Sequence, residues 1–349
     1  MILIDTVYIH QSGGKTLLNY FLVNLEAHEI EYALLLDSRI DASFIDTLKN
    51  AKFISIIKPS EYERLRFYKK YNLCFTSIFC FANVPPPLII ENIDVYIYFH
   101  NVLLLSSLFE KNGYNLFKNL KFIFKRIYIL KKNSSNYNWV VQTNYIKLLL
   151  RRKLFLRDKK ILVVPFFKIN KVVPIKRIEF KHRFIYVADG VNQKNHNRLL
   201  SAFEIMHENG FNPSLALTVP INFKTLQNRI HQLKAKGLNI ENYGTLESDE
   251  LEALYTNSQF LIFPSLKESF GLPLLEATAY GCKVIASNLP YVNEIICPSD
   301  VFDPIDISSI YNSLLRNFDN INTKETTIKV KNQIADLIKI LINNEKLNK

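Results

Sequence analysis

Short apolar runs alternate with longer segments of helical periodicity along most of the chain. In the first half, the runs that predict strands are MILIDTVYI, YALLLD, AKFISII, LCFTSIFCF, DVYIYF, WVVQT and ILVVPF. The second half repeats this arrangement with RFIYVAD, SLALTV, LNIENYG, QFLIFPS and KVIAS. Between the runs lie helical patterns, and in one of them the residues at the spacing of one helix face are Leu17, Leu18, Phe21, Leu22 and Leu25. This alternation predicts an α/β fold with parallel sheets.

The length of the chain adds a division into domains. At 349 residues it is long for one domain, so we predict two Rossmann-like, doubly wound domains that face an interdomain cleft. The expected segments are an amino-terminal domain over residues 1–170, a second domain over 171–325, and a terminal helix over 326–349 that packs back across the domain junction. Because ligands of open parallel sheets bind beyond the carboxyl ends of the strands, the strand-to-helix junctions are where chemistry is expected.

Positive charge is concentrated in the middle of the chain. Residues 101–182 hold 19 Lys and Arg against 3 acidic residues, whereas the whole chain carries a net charge of +12. In the stretch LFKNLKFIFKRIYILKK, cations alternate with aromatic and aliphatic residues. Such a pattern is typical of a surface that meets anionic lipid, of a nucleic-acid site, or of a solvated helix face. Since no DNA- or RNA-binding motif accompanies it, we favour an anionic membrane surface and expect no nucleic acid.

Composition disfavours several other classes of protein. The four cysteines form no CxxC pair and no cluster with histidine, which predicts reduced thiols, a cytoplasmic location and no metal site. The uncharged stretch 71–90 contains three consecutive prolines, so it is not predicted to cross a membrane as a helix. No signal peptide is predicted, because an acidic residue interrupts the first apolar run.

A glycine pair follows the first predicted strand, in IHQSGGKTLLNYF. Gly14-Lys15-Thr16 resembles the end of a Walker P-loop, but that motif needs another glycine where the chain has Ile9. The sequence therefore excludes a P-loop. Gly13 and Gly14 would still let the backbone approach a ligand closely before a helix whose start favours an anion, and a plain tight turn explains the pair equally well.

Two further junctions carry polar side chains. His100 follows the strand DVYIYF, where a histidine either donates a hydrogen bond to a substrate or serves the structure. Lys194 lies in a loop before a helix, in VADGVNQKNHNRLL, from which it would reach a phosphate as a point charge. Taken alone, Lys194 is better explained as an ordinary surface lysine.

The fourth junction, FPSLKESFGLPLLEATAYGCKVIAS, is the most informative. We expect Glu268 on the loop after the strand and Glu276 on the following helix, since Gly-Leu-Pro between them interrupts any continuous helix. Exposed main-chain amides at the helix start would face a common anion. They are those of Phe270, Gly271 and Leu272. Such a cradle suits a diphosphate, and carboxylates accept paired hydrogen bonds from the hydroxyls of a ribose or a sugar.

This segment resembles the signature of the nucleotide-sugar-dependent glycosyltransferase family 4, whose two glutamates are separated by seven residues, as they are here. The resemblance extends to GTLESDELEALYTNSQFLIFPS before it, to NLPYVNEI after it and to DGVNQKNHNRLLSAF, and it covers residues 183–306. It implies the two-domain GT-B fold, transfer of a sugar from a nucleotide diphosphate sugar with retention of anomeric configuration, and no metal ion or other cofactor.

The resemblance also implies roles for the residues named above. Glu268 matches the glutamate close to the donor sugar, and Glu276 matches the one that holds the ribose. Lys194 matches the lysine that neutralises the diphosphate, and His100 matches a histidine near the transferred sugar. The glycine pair matches a loop that approaches the donor phosphates. Many relatives carry an arginine shortly before the lysine, where this chain has DGVNQ. The cationic clamp is therefore a single lysine, or it draws a cation from elsewhere.

The same resemblance implies a hexosyltransferase whose amino-terminal domain reads a glycan acceptor. We expect that acceptor to be lipid-linked, as in the assembly of bacterial O-antigen or capsule, and the protein to work in the cytoplasm, on the inner face of the membrane. A GT-B sugar-nucleotide epimerase shares the architecture but matches the motifs less well. A non-catalytic nucleotide-sugar-binding subunit stays open as an alternative, because the arginine is absent.

Overall fold

A computed structural model describes residues 1–41, 44–71, 74–107, 116–169, 180–319 and 324–342 of the chain. Contacts divide the chain into two compact units. Within the described ranges, the first unit takes in residues 1–107, 117–168 and 331–342, and the second takes in 180–330. The boundary predicted between residues 170 and 171, and part of the cationic segment, lie outside the described residues.

The first unit is built on a seven-stranded sheet. Its strands are β1 (Ile2–Asp5), β2 (Tyr32–Asp37), β3 (Ala51–Ile57), β4 (Ser77–Cys80), β5 (Asp94–Tyr98), β6 (Asn138–Val141) and β7 (Ile161–Val163). Its first helices are α1 (Ser12–Ala27), α2 (Glu61–Tyr71), α3 (Leu116–Lys132) and α4 (Asn144–Lys153). All pairings are parallel in the order β3-β2-β1-β4-β5-β6-β7. The strand order therefore reverses between β1 and β4, which is where open parallel sheets bind ligands.

The second unit repeats this plan around a six-stranded sheet. Its strands are β8 (His182–Tyr186), β9 (Leu215–Leu217), β10 (Ile240–Asn242), β11 (Ser258–Phe263), β12 (Lys283–Ser287) and β14 (Asp300–Phe302). They pair in parallel in the order β10-β9-β8-β11-β12-β14. The helices are α5 (His196–Glu208), α6 (Lys224–Ala235), α7 (Ser248–Thr256), α8 (Leu272–Ala279), α9 (Pro290–Ile295) and α10 (Ile307–Asp319). Strands β13 (Ile296–Cys297) and β15 (Thr327–Ile328) form a separate antiparallel pair.

Both faces of the first sheet are covered, which explains why its strands are continuous apolar runs. Successive side chains of a strand point to opposite faces. Ile78 of β4 belongs to a buried cluster with Leu3 and Ile97. Its neighbour Phe79 packs instead against Phe21 of α1, with ring centroids 5.2 Å apart. Burying apolar area on both faces stabilises the sheet and presents the ends of its strands at a fixed edge.

The last described helix, α11 (Ile334–Ile342), belongs to the first unit. Its sequence spacing predicts one apolar side, and the residues on that side are all buried. They are Ile334, Leu337, Ile338 and Leu341. The helix contacts α1 and β4, and the preceding Asn332 donates a hydrogen bond to the carbonyl of Phe167 at 2.6 Å. The apolar side of α11 therefore contributes to the core of this unit.

The sequence prediction of the fold is confirmed in its main features. Each of the twelve apolar runs overlaps one of the strands β1 to β12, in two parallel-sheet α/β units. Strands β13, β14 and β15, of two or three residues each, were not predicted, because they lie outside these runs. In the ranges that the structure describes, no helix has both the length and the low charge needed to cross a bilayer.

Candidate functional site

The loop between β11 and α8 carries the two predicted glutamates in the expected places. Glu268 lies on the loop, and Glu276 lies inside α8. Gly271 precedes the helix with φ 95°, a left-handed conformation that favours glycine, and a Cβ there would approach Cδ1 of Leu274 to 3.1 Å. Pro273 occupies the first turn, where its missing N–H costs no hydrogen bond. This local chemistry ends the loop sharply and leaves the first amides of α8 without helical partners.

Lys194 and Glu268 form an ion pair. The ammonium of Lys194 donates a hydrogen bond to Oε1 of Glu268 at 2.6 Å. Both side chains are partly exposed, at 18% for the lysine and 14% for the glutamate. The sequence predicted each residue separately, and the structure brings them together from two different strand-to-helix junctions. Because the pair is neither solvated fully nor buried, an incoming anion can still reach the lysine.

The two junctions are tied to one another by their backbones. Leu266 donates its N–H to the carbonyl of Gln193 at 2.8 Å. The hydroxyl of Tyr186, at the end of β8, donates to the carbonyl of Lys194 at 2.6 Å and lies 3.1 Å from Oγ of Ser265. Tyr186 is fully buried. The Lys194 loop and the Glu268 loop are thus held together as one rigid platform. Because these loops are ordered in advance, a ligand that binds there does not have to order them.

Asn195 makes the turn in the backbone between the Lys194 loop and α5. Its backbone is left-handed, with φ 62° and ψ 27°. Asparagine tolerates this conformation better than most residues. Its side-chain amide donates to the carbonyls of Pro264 and Pro304, at 3.1 and 2.7 Å. The residue is 4% exposed, so these bonds are made away from water and hold the start of α5 against the neighbouring loops.

His196 follows Lys194 by two positions in the chain and is neutral at physiological pH. It is 4% exposed, and its ring centroid lies 4.7 Å from that of Tyr186, with the two rings tilted by 40°. Burial, with a smaller effect of the nearby Lys194 charge, lowers the pKa of His196 to about 3. At physiological pH the positive charge at this junction therefore comes from Lys194 and not from the histidine.

Glu276 is oriented by Tyr255. The Tyr255 hydroxyl donates to Oε2 of Glu276 at 3.0 Å. Tyr255 is buried, and its ring stacks on Tyr280 with an interplanar angle of 8°. Burial raises the pKa of Glu276, and the Tyr255 hydrogen bond opposes that rise in part. One oxygen of the carboxylate, Oε2, is thus held by a hydrogen bond from the protein.

The glycine pair of the first unit needs a correction. The sequence analysis placed Gly13 and Gly14 on a loop, but both lie in the first turn of α1, which begins at Ser12 after the extended residue Gln11. Glycine has a low helix propensity, and tertiary context overrides it here. The amides of a first turn have no helical acceptors, so the pair still offers N–H donors, now as part of a helix start.

His100 lies beside this helix start. A Cβ on Gly14 would come within 3.7 Å of Nε2 of His100. The backbone N–H of His100 donates to Oδ1 of Asn83 at 2.7 Å, and Nε2 lies 3.3 Å from Nδ2 of the same residue. Burial lowers the pKa of His100 to about 4, so the ring is neutral at physiological pH. The structure therefore places His100 next to Gly14 in the first unit, and it pairs Lys194 with Glu268 in the second unit. Glu276 lies on α8 and is bonded to Tyr255.

Sequence reasoning missed the residues that position these groups. Tyr186 bonds the carbonyl of Lys194, and Tyr255 bonds the carboxylate of Glu276. Asn195, which follows Lys194 in the chain, bonds the carbonyls of Pro264 and Pro304. Tyr186 and Tyr255 are aromatic residues in apolar stretches, and nothing in the pattern distinguishes them from core residues. Asn195 ends the short 3₁₀ helix Asn192–Lys194, and asparagine is one of the residues that adopt the left-handed conformation at a helix C-terminus.

A comparison with known protein families finds a match that covers most of the second unit. Residues 174–333 match the family described as glycosyl transferases group 1. This range contains the loop with Lys194, the loop with Glu268 and the whole of α8. The family match thus covers the part of the chain whose geometry was described from β8 to α8.

Curated relatives match shorter stretches. The serotype-specific mannosyltransferase WbdA of Escherichia coli is 43% identical over 68 residues, which are 19% of this chain and 8% of WbdA. The O-antigen biosynthesis glycosyltransferase WclY of Escherichia coli is 24% identical over 219 residues, which are 59% of this chain and 56% of WclY. The matched stretches therefore span well under two thirds of either relative.

A solved structure extends the likeness to nearly the whole fold. Sucrose-phosphate synthase from Thermosynechococcus elongatus superimposes with a TM-score of 0.70 at 14% identity, over 99% of this chain and 96% of that one. At this identity the likeness concerns the fold alone. The chain has the GT-B fold expected from its sequence, and residues 174–333 match the family of group 1 glycosyl transferases.

Proposed function

We propose that the protein is a retaining glycosyltransferase that moves a hexose from a nucleotide diphosphate sugar to a hydroxyl of a glycan acceptor. The observation that carries this proposal is the platform on which Lys194, Glu268 and the start of α8 are held together. The match to group 1 glycosyl transferases supports it. The likeness to the O-antigen biosynthesis glycosyltransferase WclY supports a role in bacterial surface polysaccharide synthesis, of O-antigen or capsule.

In this proposal the donor diphosphate takes the place of Glu268 as the partner of Lys194. The lysine and the amides of Phe270, Gly271 and Leu272 at the start of α8 neutralise the leaving group as its charge grows. Glu268, released from the ion pair, accepts hydrogen bonds from the hydroxyls of the donor sugar. Glu276, held by Tyr255, accepts hydrogen bonds from the ribose.

The transfer step is balanced without a further reagent. The bond between the anomeric carbon and the phosphate oxygen breaks, and a bond between that carbon and the acceptor oxygen forms on the same face. The proton of the acceptor hydroxyl passes to the departing phosphate oxygen. We propose that no metal ion is required, since the lysine and the helix start supply positive charge where the diphosphate departs.

We propose that the first unit contributes groups that contact the donor and that it also binds the acceptor. His100, which is neutral, would contact the transferred sugar as a hydrogen-bonding group. Gly13 and Gly14 would offer first-turn amides to the donor phosphates. We further propose that the acceptor is linked to a lipid and that the protein works on the cytoplasmic face of the membrane.

The surface of α3 supports the membrane part of this proposal. Phe117 is 76% exposed and Phe124 is 66% exposed, although both are large apolar residues. They lie seven residues apart, with Lys121 exposed between them on the same helix face. Aromatic side chains interleaved with lysine are typical of a helix that lies in the interface of an anionic bilayer.

A second candidate function follows from one departure in the sequence. Gln193 stands directly before Lys194, where many relatives have an arginine nearby. A protein with a single cation at this place could bind the donor without transferring its sugar. This non-catalytic nucleotide-sugar-binding subunit is the alternative that the experiment has to separate.

The test is acceptor-dependent release of nucleoside diphosphate. GDP-, UDP- and dTDP-sugars are first screened by thermal shift, because a ligand at a hundred times its Kd stabilises the fold by about 2.7 kcal/mol. The selected donor is then incubated with and without a glycan acceptor and with EDTA, and the anomeric configuration of the product is read by NMR. Transfer with retention, unaffected by EDTA, is expected. Donor binding without any release of nucleoside diphosphate would favour the non-catalytic subunit.

A further inference from the structure

The first unit contains a pocket of about 570 Å³ that lies entirely within this unit. Its lining comes from segments that follow β1, β2, β4 and β5, together with the starts or faces of α2 and α3. It therefore opens at the carboxyl ends of the strands on either side of the β1–β4 reversal, where an open parallel sheet binds its ligand. The volume falls within the range of small-molecule sites.

Two of the five non-glycine residues with positive φ in the described part of the chain line this pocket. Tyr8 has φ 84° and Asn83 has φ 68°, although neither is glycine. Each is held in place by a specific bond: the N–H of Tyr8 donates to Oδ2 of Asp37 at 2.9 Å, and Asn83 bonds the N–H of His100. Left-handed conformations of this kind cost free energy and persist where the surroundings enforce them, which is common at ligand sites.

A carboxylate lies at the centre of the polar wall. Glu61 accepts a hydrogen bond from the Tyr8 hydroxyl at 2.7 Å and one from Nη1 of the buried Arg64 at 2.8 Å. The Tyr128 hydroxyl donates to its other oxygen. The charge of Arg64 and these hydrogen bonds, opposed by burial, hold the pKa of Glu61 below its usual value, so it is ionised at neutral pH.

This arrangement fixes what the wall can offer to a ligand. Both tyrosine hydroxyls donate their protons to Glu61. Each hydroxyl therefore offers the pocket only the lone pairs of its oxygen, which accept hydrogen bonds. A ligand group that can only accept hydrogen bonds, such as a phosphate or a carboxylate, finds no donor in these hydroxyls. Its negative charge is also repelled by that of Glu61. A neutral sugar carries hydroxyls that can donate to them.

The remaining charges around the pocket balance. Arg39 is bonded to Asp37 through Nε and Nη2, at 2.9 and 2.7 Å. Arg64 is bonded to Asp5 at 2.8 Å. Of these charged residues, Arg39, Glu61 and Lys125 line the pocket, whereas Asp5, Asp37 and Arg64 are their bonded partners or belong to the same network. Counted together, these three acidic and three basic residues carry no net charge that would attract an anionic substituent.

We infer that this pocket binds a neutral sugar residue of the acceptor glycan, and that Tyr8, Tyr128 and Glu61 are the residues that select it. This inference rests on the proposed function. Apolar lining residues such as Ile9 and Leu104 would pack against the C–H face of the sugar ring. Acidic sugars and phosphorylated ends of the acceptor are excluded from this pocket.

The test uses lipid-like acceptors of defined charge. Octyl mannoside, octyl galactoside and octyl N-acetylglucosaminide are compared with octyl glucuronide, using the full chain and its donor. Tyr128→Phe and Tyr8→Phe each remove one lone-pair acceptor, and each is expected to raise the KM of the neutral acceptor about tenfold. Tyr62→Phe is the matched control, since Tyr62 is 68% exposed on α2 and does not line the pocket. Its acceptor KM should not change.

Hydrolysis of the donor without acceptor separates the two levels of the proposal. The Tyr62→Phe control should keep this rate and the thermal shift caused by the donor. An unchanged acceptor KM in both Tyr128→Phe and Tyr8→Phe would overturn the pocket assignment while leaving the transferase intact. Use of the glucuronide in preference to all three neutral glycosides, or failure of all three with a hydrolysing enzyme, would overturn the neutral-sugar assignment. A wild-type chain that neither binds nor hydrolyses any donor would instead contradict the proposed function.

Discussion

Lys194 and Glu268 are 74 positions apart in the chain, yet the lysine ammonium donates to the glutamate carboxylate across 2.6 Å. A second ion pair of the same unit has the same length: Nζ of Lys236 lies 2.6 Å from Oε1 of Glu204. The two differ in their surroundings. The Lys194 side chain is 18% exposed, whereas that of Lys236 is 61% exposed. An exposed pair contributes little to stability, so Lys236 serves as a control for Lys194 with the same pair distance in a different environment.

This difference provides the first prediction. Lys194→Ala should lower kcat/KM for the donor by about 10²–10³-fold, because one preorganised cation on the leaving group is lost. Lys236→Ala removes a lysine from an equally short pair and should leave kcat/KM unchanged. Both variants are compared by steady-state kinetics, with circular dichroism to check the fold. Equal losses in the two variants would show that the effect is not specific to the site.

Glu276 and Tyr255 support a second prediction. Glu276→Gln should lower kcat/KM by about tenfold or more, because an ionised acceptor for the ribose hydroxyls is lost. A donor analogue without the ribose 2′ and 3′ hydroxyls should show no such difference between the two proteins. Glu252→Gln on α7 is a control at a glutamate outside this pair. Equal loss with the normal and the deoxy donor would contradict the ribose assignment.

The same substitution has an expected effect on stability with a defined sign. Burial raises the pKa of Glu276, so the folded state disfavours its charged form more than the unfolded state does. This cost is present at neutral pH and disappears as the pH falls through the folded-state pKa. Glu276→Gln should therefore raise the free energy of unfolding at neutral pH, and the gain should shrink on acidification. Urea titrations across this range measure it; a gain that grows toward acid would contradict the assignment.

Asn195 supports a third prediction, in which backbone and side chain are separated. Asn195→Ala loses the bonds to Pro264 and Pro304 and must also adopt φ 62° with a Cβ. Asn195→Gly loses the same bonds but accepts that φ freely. We expect both to be destabilised, with alanine worse than glycine by about 1–2 kcal/mol. Chemical denaturation gives both values, and an alanine variant as stable as the glycine variant would refute the role of the left-handed backbone.

For several features of the fold and of the candidate site, the sequence alone was sufficient to predict the structure. The apolar runs determine the strands because a strand buried on both faces has to be apolar throughout, and β1, β2 and β11 are found where they were predicted. Glu268 and Glu276 were placed on loop and helix by Gly271 and Pro273, whose backbone requirements are local.

What the sequence could not show depends on contacts between distant residues. The Lys194–Glu268 pair and the Glu61 cluster each join side chains more than fifty positions apart. The helical position of Gly13 and Gly14 was missed because their propensity favours a loop, while the start of α1 is decided by its packing. Propensity and spacing describe neighbours along the chain, and these features are set by neighbours in space.

The exposed face of α3 supports the last prediction. Phe124 is 66% exposed beside lysines, whereas Ile221 of the second unit is 88% exposed. Phe124→Ser should weaken binding to vesicles containing phosphatidylserine, because it removes an apolar side chain from the proposed interface. Ile221→Ser should leave binding unchanged, although it also removes an exposed apolar residue. Flotation at low and high salt measures both, and wild-type binding should fall with salt because the lysines contribute through screened charge. Wild-type protein that fails to float with anionic vesicles at low salt would rule out the membrane surface.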